Sequence, residues 1–151
     1  MCVLALWLGL DPNTPLVVGA NRDESYARLS APPAEIEPGL IAGRDLEKGG
    51  TWLGFNGRGL FVAVTNRLSP APTPDLPSRG LLALETLRCK TLESVEDVVQ
   101  RRVADQPFAG FNLVAVVEGE GLCLHYDGAL RGALFGSGIH VISSDCALDD
   151  V

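Results

Sequence analysis

The stretch CVLALWLGLDPNTPLVVGANRDE, residues 2–24, decides how the chain begins to fold. Residues 3–10 are continuously apolar, which is typical of a strand covered on both faces. Residues 11–15 (DPNTP) have the composition of a turn, and residues 16–20 (LVVGA) predict a second strand. A short turn makes the two strands antiparallel. We therefore expect a hairpin that returns the polar residues 21–24 (NRDE) to the neighbourhood of Cys2.

Cys2 directly follows the initiator methionine, which aminopeptidases remove efficiently when the next side chain is small. Removal would leave a thiol and a free α-amine on one residue. The α-amine of model peptides has a pKa of about 7.7–8.0, so part of it is neutral and can accept the proton of the thiol, directly or through a water. Cys2 is therefore a candidate nucleophile. The alternative, from position alone, is a small residue that opens a buried strand, which is the commoner fate of a free cysteine.

Length and composition indicate one domain without a nucleic-acid or membrane partner. The chain has 151 residues, 46% of them hydrophobic, and a net charge of −7, so it offers no electrostatic attraction to nucleic acids or anionic membranes. Its cysteines (Cys2, Cys89, Cys123 and Cys146) lie far apart and its histidines lack ligand spacing, so we expect no metal and no cofactor. We expect residues 3–10 to be a strand rather than a signal peptide, because a basic segment does not precede them and residues 11–15 interrupt them, and we expect no membrane-spanning segment. We expect a cytoplasmic protein.

The rest of the chain predicts strands, then helices, then strands. Residues 25–49 are expected to be irregular, because Pro32-Pro33 and Pro38-Gly39 break any periodicity. The proline-rich residues 69–80 are expected to form a surface loop or a flap beside a site. The predicted strands are 51–55, 60–65, 112–118, 122–126 and 139–143, and the predicted helices are 81–88 and 92–103. Because regular βαβ alternation is absent, this order favours an α+β fold, with helices on one face of antiparallel sheet.

Polar segments at the ends of predicted strands supply the candidate site residues. An arginine and a carboxylate within residues 21–24 suit a terminal thiol and amine, because a carboxylate holds an ammonium group in place and a guanidinium lowers the pKa of a nearby thiol. Asn66, at the end of a buried strand, could donate its amide to an oxyanion or form a turn. The glycine-rich segments around Arg44 and Trp52 indicate close backbone approach, and Trp52 packs on the core or walls a pocket.

Several short motifs occur together in a fixed order along the chain. They are Met1-Cys2, Ala20-Asn21-Arg22-Asp23-Glu24, Ala42-Gly43-Arg44-Asp45, Gly49-Gly50-Thr51-Trp52-Leu53-Gly54, Thr65-Asn66 and Ser78-Arg79-Gly80, followed more weakly by residues 110–113 and 138–143. In this order they resemble the NRDE family, the group of transport and Golgi organisation proteins. That family is similar to the N-terminal-nucleophile (Ntn) hydrolases that begin with cysteine. The resemblance implies an Ntn-hydrolase-like αββα sandwich with antiparallel sheets, of which residues 1–151 are the N-terminal portion.

The same resemblance implies roles for the polar residues. Cys2 would be the nucleophile after loss of Met1, with Arg22 and Asp23 beside it, and Asn66 would help to form the oxyanion hole. The residues expected to contact the substrate are Asn21, Glu24, Arg44, Trp52 and Arg67. Two departures stand out. Ser144 occupies the neighbourhood in which the related hydrolases place a second catalytic asparagine, and family members continue beyond the point where this chain ends.

Two functions follow from the resemblance. In the first, the chain is an amide-bond hydrolase or acyltransferase that acts on a small-molecule substrate through a thioester on Cys2. In the second, it is a non-enzymatic trafficking or homeostasis protein that handles a hydrophobic cargo such as haem, a lipid or an acyl-CoA, and Cys2 is a soft ligand or merely structural. An inactive family member is a third alternative. The sequence does not indicate an oligomeric state.

Overall fold

The computed structural model describes residues 2–67, 76–144 and 148, and its first element is the expected hairpin. Strands β1 (Val3–Asp11) and β2 (Thr14–Asn21) pair antiparallel, with Val3 opposite Asn21. The Asn13 backbone N–H donates to Asp11 Oδ1 across the turn, at 2.8 Å. This register confirms the prediction that the polar residues after β2 return to the start of β1.

The remaining elements follow the predicted order of strands, helices and strands, with three additional strands. In chain order they are β3 (Ser30–Glu37), β4 (Leu40–Asp45), β5 (Leu53–Asn56), β6 (Phe61–Asn66), α1 (Arg79–Thr86), α2 (Leu92–Asp105), β7 (Phe111–Val117), β8 (Glu120–Tyr126), β9 (Leu130–Phe135) and β10 (Gly138–Ser143). The strands form a three-stranded sheet in the order β10-β1-β2 and a seven-stranded sheet in the order β3-β4-β5-β6-β7-β8-β9. Every strand pair is antiparallel.

Residues 25–49 contain a hairpin, so the prediction that they are irregular is wrong. β3 and β4 pair across a turn in which Gly39 has a φ of 73°. Pro32 and Pro33 are tolerated because β3 is an edge strand and its register shifts between Ala31 and Ala34. Proline lacks an N–H, and it is found in sheets mainly at edges and bulges for that reason.

β9 is the third strand that the sequence analysis missed, after β3 and β4. It forms the opposite edge of the seven-stranded sheet, next to β8. Its four middle residues, 131–134, are exposed. A strand in this position has little hydrophobic alternation to reveal it, and Gly132 weakens the pattern further.

The two helices lie on one face of the seven-stranded sheet. α1 begins two residues before the predicted start, and α2 covers the predicted span and begins with a reciprocal pair of hydrogen bonds between Thr91 and Ser94. These bonds form a capping box, which stabilises a helix start. The core between helices and sheet contains Val62, Leu82, Ala83, Leu87, Val95, Val99, Leu113, Ala115, Leu122 and Leu124, among others.

The three-stranded sheet packs against the other face of the seven-stranded sheet. The core between the sheets includes Leu4, Leu6, Leu8, Phe61, Ala63, Val114, Val116, Cys123 and Ile142. β6 and β7 therefore contribute to both cores, and their continuous apolar runs reflect burial on both faces. The described residues form three layers, helices, sheet and sheet, which confirms the α+β prediction. The fourth layer of an αββα sandwich stays a prediction.

The outer face of the three-stranded sheet is exposed, so the prediction that residues 3–10 are covered on both faces is wrong for the described chain. Trp7 is 37% exposed. Its register partners on either side, Val17 and Ile139, are 45% and 60% exposed. Cross-strand partners point to the same face of a sheet. The described residues supply packing only on the inner face of β1, where Leu4, Leu6 and Leu8 are buried.

Candidate active site

A cavity of about 540 Å³ lies where the end of the first hairpin meets the end of β6 and the start of α1. It brings together many of the residues predicted from sequence. Those that line it are Cys2, Asn21, Arg22, Glu24, Trp52 and Asn66. Asp23, Arg44 and Arg67 do not line it. Leu76, Pro77 and Ser78, the described end of the proline-rich segment, do line it, while residues 69–75 of the predicted flap lie outside the described residues.

Ser144, which directly follows β10, makes hydrogen bonds to the main chain of Cys2. The Cys2 backbone nitrogen donates to Ser144 Oγ at 3.0 Å, and the Ser144 backbone nitrogen donates to the Cys2 carbonyl oxygen at 3.1 Å. These bonds continue the antiparallel ladder that pairs Val3 with Ser143. In a chain without Met1, the bonded nitrogen of Cys2 is the α-amine itself. Ser144 therefore contacts the atom that would act as the base.

Arg22 lies across the aromatic wall of the cavity. Its guanidinium carbon is 4.6 Å from the centre of the Trp52 ring, and its Nη2 is 3.5 Å from Glu24 Oε2. A guanidinium over an indole face is held by cation–π attraction. Trp52 itself covers Gly43, where an added Cβ would come within 2.5 Å of the indole ring. Both predicted alternatives for Trp52, core packing and a pocket wall, therefore describe parts of its environment.

Asp23, in the NRDE segment, responds to the positive charge at the chain terminus. The pKa of Asp23 is lowered, chiefly by a hydrogen bond with the terminal α-ammonium group and then by attraction to its charge. That group is the α-amine of residue 1, so the shift describes the chain before Met1 is removed. Asp23 follows Arg22 at the returning end of the hairpin and does not line the cavity.

Arg28 and Asp45 form an ion pair that the sequence analysis did not single out. Arg28 Nη2 donates to Asp45 Oδ2 at 2.6 Å, and Arg28 Nη1 donates to Glu24 Oε2 at 3.2 Å. Burial opposes ionisation of Asp45 most strongly. The hydrogen bonds from Arg28 and from the backbone N–H groups of Lys48 and Glu47 outweigh that effect and lower the pKa of Asp45. Both carboxylates of the cavity wall are thus held by protein cations.

Asn66 offers an unused amide at the cavity. It ends β6, and among the described residues its carboxamide makes no hydrogen bond. A free amide N–H at this position can donate to a developing oxyanion. The backbone N–H of Arg67 donates instead to the Gly110 carbonyl oxygen at 2.9 Å, and its buried Nε and Nη1 atoms have no hydrogen-bond partner among residues 2–67, 76–144 and 148. Arg44 is exposed on β4, opposite Ala31.

Arg79 is a site residue that the sequence analysis missed. It is half-buried at the start of α1, lines the cavity, and donates from Nη1 to the Gly110 carbonyl oxygen at 2.8 Å. Burial lowers its pKa most strongly and repulsion from Arg28 adds to this, whereas attraction to Cys2 and Glu24 raises it. The Ser78-Arg79-Gly80 motif was the available signal. Its distance of more than 50 residues from the NRDE segment hid its place beside Cys2.

Two glycines let α1 approach the opposite wall of the cavity. A Cβ on Gly50 would lie 2.3 Å from the Gly80 carbonyl carbon. The Thr51 backbone N–H donates to the Gly80 carbonyl oxygen at 3.0 Å. The prediction of close backbone approach in this segment is therefore confirmed, and the contact fixes the position of Arg79.

A buried asparagine connects the two sheets behind the cavity. Asn112 Nδ2 donates to the Ser143 carbonyl oxygen at 3.0 Å and to Thr65 Oγ1 at 3.2 Å. Because both amide hydrogens are used, Asn112 Oδ1 accepts from His125 Nδ1 at 2.9 Å. The network fixes the strand end that carries Ser144, and so it supports the Cys2 backbone indirectly.

Comparison with known proteins agrees with the order of the motifs. A family model described as Transport and Golgi organisation 2 matches residues 1–149. The chain belongs to the transport and Golgi organisation 2 family. This confirms the resemblance drawn from Cys2, the NRDE segment and the later motifs.

Curated members of the family are longer than this chain. The mouse Transport and Golgi organization 2 homolog is 33% identical over 109 residues, which are 66% of this chain and 38% of the relative. The bovine homolog is 34% identical over 106 residues, with the same coverage. The human homolog is 30% identical over 123 residues, which are 73% of this chain and 43% of the relative. The matched part of the chain thus corresponds to about two fifths of each relative.

Two further observations concern membranes and metals. In the part of the chain that the structure describes, no helix combines the length and the apolar character needed to cross a membrane. The same residues contain no group of three or more His, Cys, Asp or Glu side chains arranged to hold a metal ion.

Proposed function

We propose that this chain carries an N-terminal-nucleophile site that hydrolyses or transfers an acyl group at an amide bond, with Cys2 as the nucleophile after removal of Met1. The observation that carries the proposal is the clamp on Cys2 at the wall of the cavity. Ser144 bonds to the nitrogen that would become the α-amine. Asp23 follows Asn21, the register partner of Val3, by two residues and is the carboxylate proposed to hold that amine. Thiol, amine, carboxylate and cavity are the parts that such a site needs.

The chemistry would proceed in two acyl-transfer steps. The α-amine accepts the thiol proton as the sulfur attacks the carbonyl carbon, and Asn66 Nδ2 donates to the oxyanion that forms. The carbon–nitrogen bond then breaks, and the leaving amine takes the proton from the α-ammonium group. A water, or an acceptor nucleophile, attacks the thioester and gives its proton to the α-amine. Cleavage of the carbon–sulfur bond returns that proton to the thiol.

The other predicted residues divide by position. Asn21, Glu24 and Trp52 line the cavity and are proposed to contact the substrate, with Arg22 fixed between Glu24 and Trp52. Asp23 is proposed to orient the α-amine. Arg44 and Arg67 do not line the cavity, and we assign them no part in the reaction.

Intact-mass spectrometry and thiol labelling test this proposal. The purified chain should lack Met1, and a thiol-directed acyl probe should label Cys2 well before Cys89, whose pKa is raised, chiefly by burial. Cys2→Ala should abolish the fast labelling, and Cys89→Ala should leave it unchanged. A chain with two extra residues before Cys2 is a matched control, because it keeps the thiol and blocks the amine. Retained Met1, or equal labelling of both chains, would contradict the mechanism.

A non-enzymatic role is the second candidate, and the names of the relatives favour it. Those names associate the relatives with transport and Golgi organisation. On this alternative the cavity holds a hydrophobic cargo such as haem or a lipid, and the Cys2 sulfur is a soft ligand or has no chemical role. Haem titration followed by absorbance would support it if binding weakens in Cys2→Ala but not in Cys89→Ala. Cargo class and cytoplasmic location stay predictions.

A further inference from the structure

Arg79 is a cation without a carboxylate partner at the wall of the cavity. Its Nη1 atom bonds to the neutral carbonyl oxygen of Gly110. Among the described residues, no carboxylate oxygen lies within 4.0 Å of its guanidinium nitrogens. A charge withdrawn from water without a counter-charge is costly in a folded protein. The arrangement is therefore unusual for a purely structural arginine.

The cavity wall as a whole carries more cationic than anionic side chains. Arg22, Arg28, Lys48 and Arg79 line it, against Glu24 and Asp45. Both carboxylates are already bound by Arg28, at 3.2 Å and 2.6 Å. This excess of positive charge occurs in a chain whose net charge is −7. The local sign of charge is thus opposite to that of the molecule as a whole.

Arg79 is also close enough to Cys2 for the two charges to interact. A thiolate at Cys2 and the carboxylate of Glu24 both attract the guanidinium. The Ser78 side chain does not cap the first turn of α1, which begins at Arg79, and Ser78 and Gly80 line the same cavity. Positive charge from the guanidinium and from the helix start is directed to one end of the cavity.

We infer that the cavity binds its ligand through an anionic group, a carboxylate or a phosphate, that pairs with Arg79 beside Cys2. The conclusion that the substrate is an anion rests on the proposed function. The existence of an anion-binding site at Arg79 does not. An arginine binds either group with two parallel N–H···O bonds. The acyl compound that reaches Cys2 is accordingly an acid or a phosphorylated compound, and the neutral compound of the same shape is a poorer ligand.

Charge-selective alkylation of the thiols tests the inference. Iodoacetate and iodoacetamide have nearly the same shape, and each loses iodide to a thiolate, but only iodoacetate is an anion. The rate ratio of iodoacetate to iodoacetamide is measured at Cys2 and at Cys89 by peptide mass spectrometry. We expect the ratio at Cys2 to exceed that at Cys89 by roughly tenfold, the value of one charge-assisted hydrogen bond. Equal ratios at the two thiols would overturn the anion site.

Substitutions at Arg79 and at Arg44 test whether Arg79 causes the higher rate ratio at Cys2. Arg79→Gln should reduce the Cys2 ratio to that of Cys89, and Arg79→Lys should keep most of it. Arg44→Gln changes the net charge equally at an exposed position outside the cavity, so it should have no effect. An equal fall in the Arg44 and Arg79 variants would show a global charge effect instead and contradict the inference. The rate of Cys2 alkylation by neutral iodoacetamide measures the reactivity of the thiol independently of the anion site. A slow rate would count against the proposed function, whereas the rate ratio tests only the anion site.

Protection of the native chain provides a second measurement that does not depend on a folded variant. Inorganic phosphate and succinate are added separately while Cys2 reacts with iodoacetamide. Protection by phosphate alone identifies a phosphate site, and protection by succinate alone identifies a carboxylate site. Protection by neither, at concentrations up to tens of millimolar and constant ionic strength, would contradict the inference.

Discussion

Ser144 is the residue whose side chain has the most direct contact with the proposed base. Its Oγ accepts from the Cys2 nitrogen at 3.0 Å and lies 3.4 Å from the Cys2 carbonyl oxygen. The hydroxyl therefore limits the rotation of the residue that carries both thiol and amine. The resemblance to the Ntn hydrolases predicts a second catalytic asparagine in this neighbourhood, and Ser144 departs from that pattern. The geometry instead suits a positioning residue.

Ser144→Ala should slow acylation of Cys2 by about two- to tenfold, because one neutral hydrogen bond contributes roughly 0.5–1.5 kcal/mol. The pH profile of the acylation rate should shift as well, since the amine loses a partner. Ser144→Thr, which keeps the hydroxyl, should remain close to the native rate. An unchanged rate and pH profile in Ser144→Ala would remove Ser144 from the proposed site.

His125 makes the stability of the fold depend on pH. Burial lowers its pKa most, repulsion from Arg67 acts in the same direction, and Asp127 opposes both. A histidine whose pKa is lower in the folded state stabilises the fold above its unfolded pKa, about 6.5. That stability is lost as the pH falls from there toward the folded pKa, because the unfolded chain binds the proton first.

The free energy of unfolding of the native chain should therefore decline between pH 7 and pH 5. His125→Gln should show a smaller decline over the same range, whatever its stability at pH 7. Chemical denaturation at several pH values measures both slopes. Asp45, whose pKa is lowered in the folded state, contributes a further loss of folding stability only below about pH 4. Parallel slopes in the two proteins would show that His125 is not the group responsible.

At the scale of single residues, proximity along the chain decided what could be predicted. Arg22, Asp23 and Glu24 adjoin the end of one hairpin, so their return to Cys2 follows from local pairing. Arg79 and Ser144 reach the same place through α1 and β10, and their approach depends on the whole sheet order. Spacing in the sequence carries no information about contacts of that kind. The residue motifs indicated that these positions matter but not what they contact.

At the scale of elements, the contact between the Gly50 segment and α1 sets one wall of the cavity. Gly50→Ala should destabilise the fold by about 1–3 kcal/mol, because its Cβ would lie 2.3 Å from backbone that cannot yield as a side chain can. Gly136→Ala is the matched control. Its added Cβ has no atom within 4 Å, so we expect a change within about 0.5 kcal/mol. Similar unfolding midpoints for the two variants in urea would contradict the packing described.

The elements that the sequence predicted well are those that are buried or capped. β6 and β7 have apolar runs because cores lie on both faces, and the helical spacing of Val95 and Val99 matches their burial in α2. Three strands were missed. β3 and β9 are the two edges of the seven-stranded sheet, and β4 is the hairpin partner of β3. An edge strand has one partner and much solvent, so proline and short polar residues are tolerated there. Hydrophobic patterning cannot find such strands reliably.

At the scale of the whole molecule, the three-layer arrangement packs one face of the smaller sheet against the larger sheet and leaves the other face exposed. Ile142 and Ile139 illustrate this on β10. Ile142 is fully buried between the sheets, whereas Ile139 is 60% exposed beside Trp7. The sequence alone presents both as equivalent apolar strand residues. Only the layer order distinguishes them.

Ile142→Thr should lower the free energy of unfolding by roughly 2–4 kcal/mol, because it removes buried apolar atoms and buries a hydroxyl. Ile139→Thr keeps the β-branched shape on the exposed face, and it should change stability by about 0.5 kcal/mol or less. Urea denaturation of the two variants compares them directly. A larger loss for Ile139→Thr would reverse the assignment of the two faces.

The clamp between Cys2 and Ser144 has a consequence for the order of events during synthesis. The two residues are 142 positions apart, and a ribosome adds roughly 5–20 residues per second. β10, the last strand to pair with β1, is therefore synthesised on the order of ten seconds after β1. On the proposed mechanism, removal of Met1 can take place in this interval, before β10 pairs with β1. The nucleophile would then be generated before the cavity that uses it has closed.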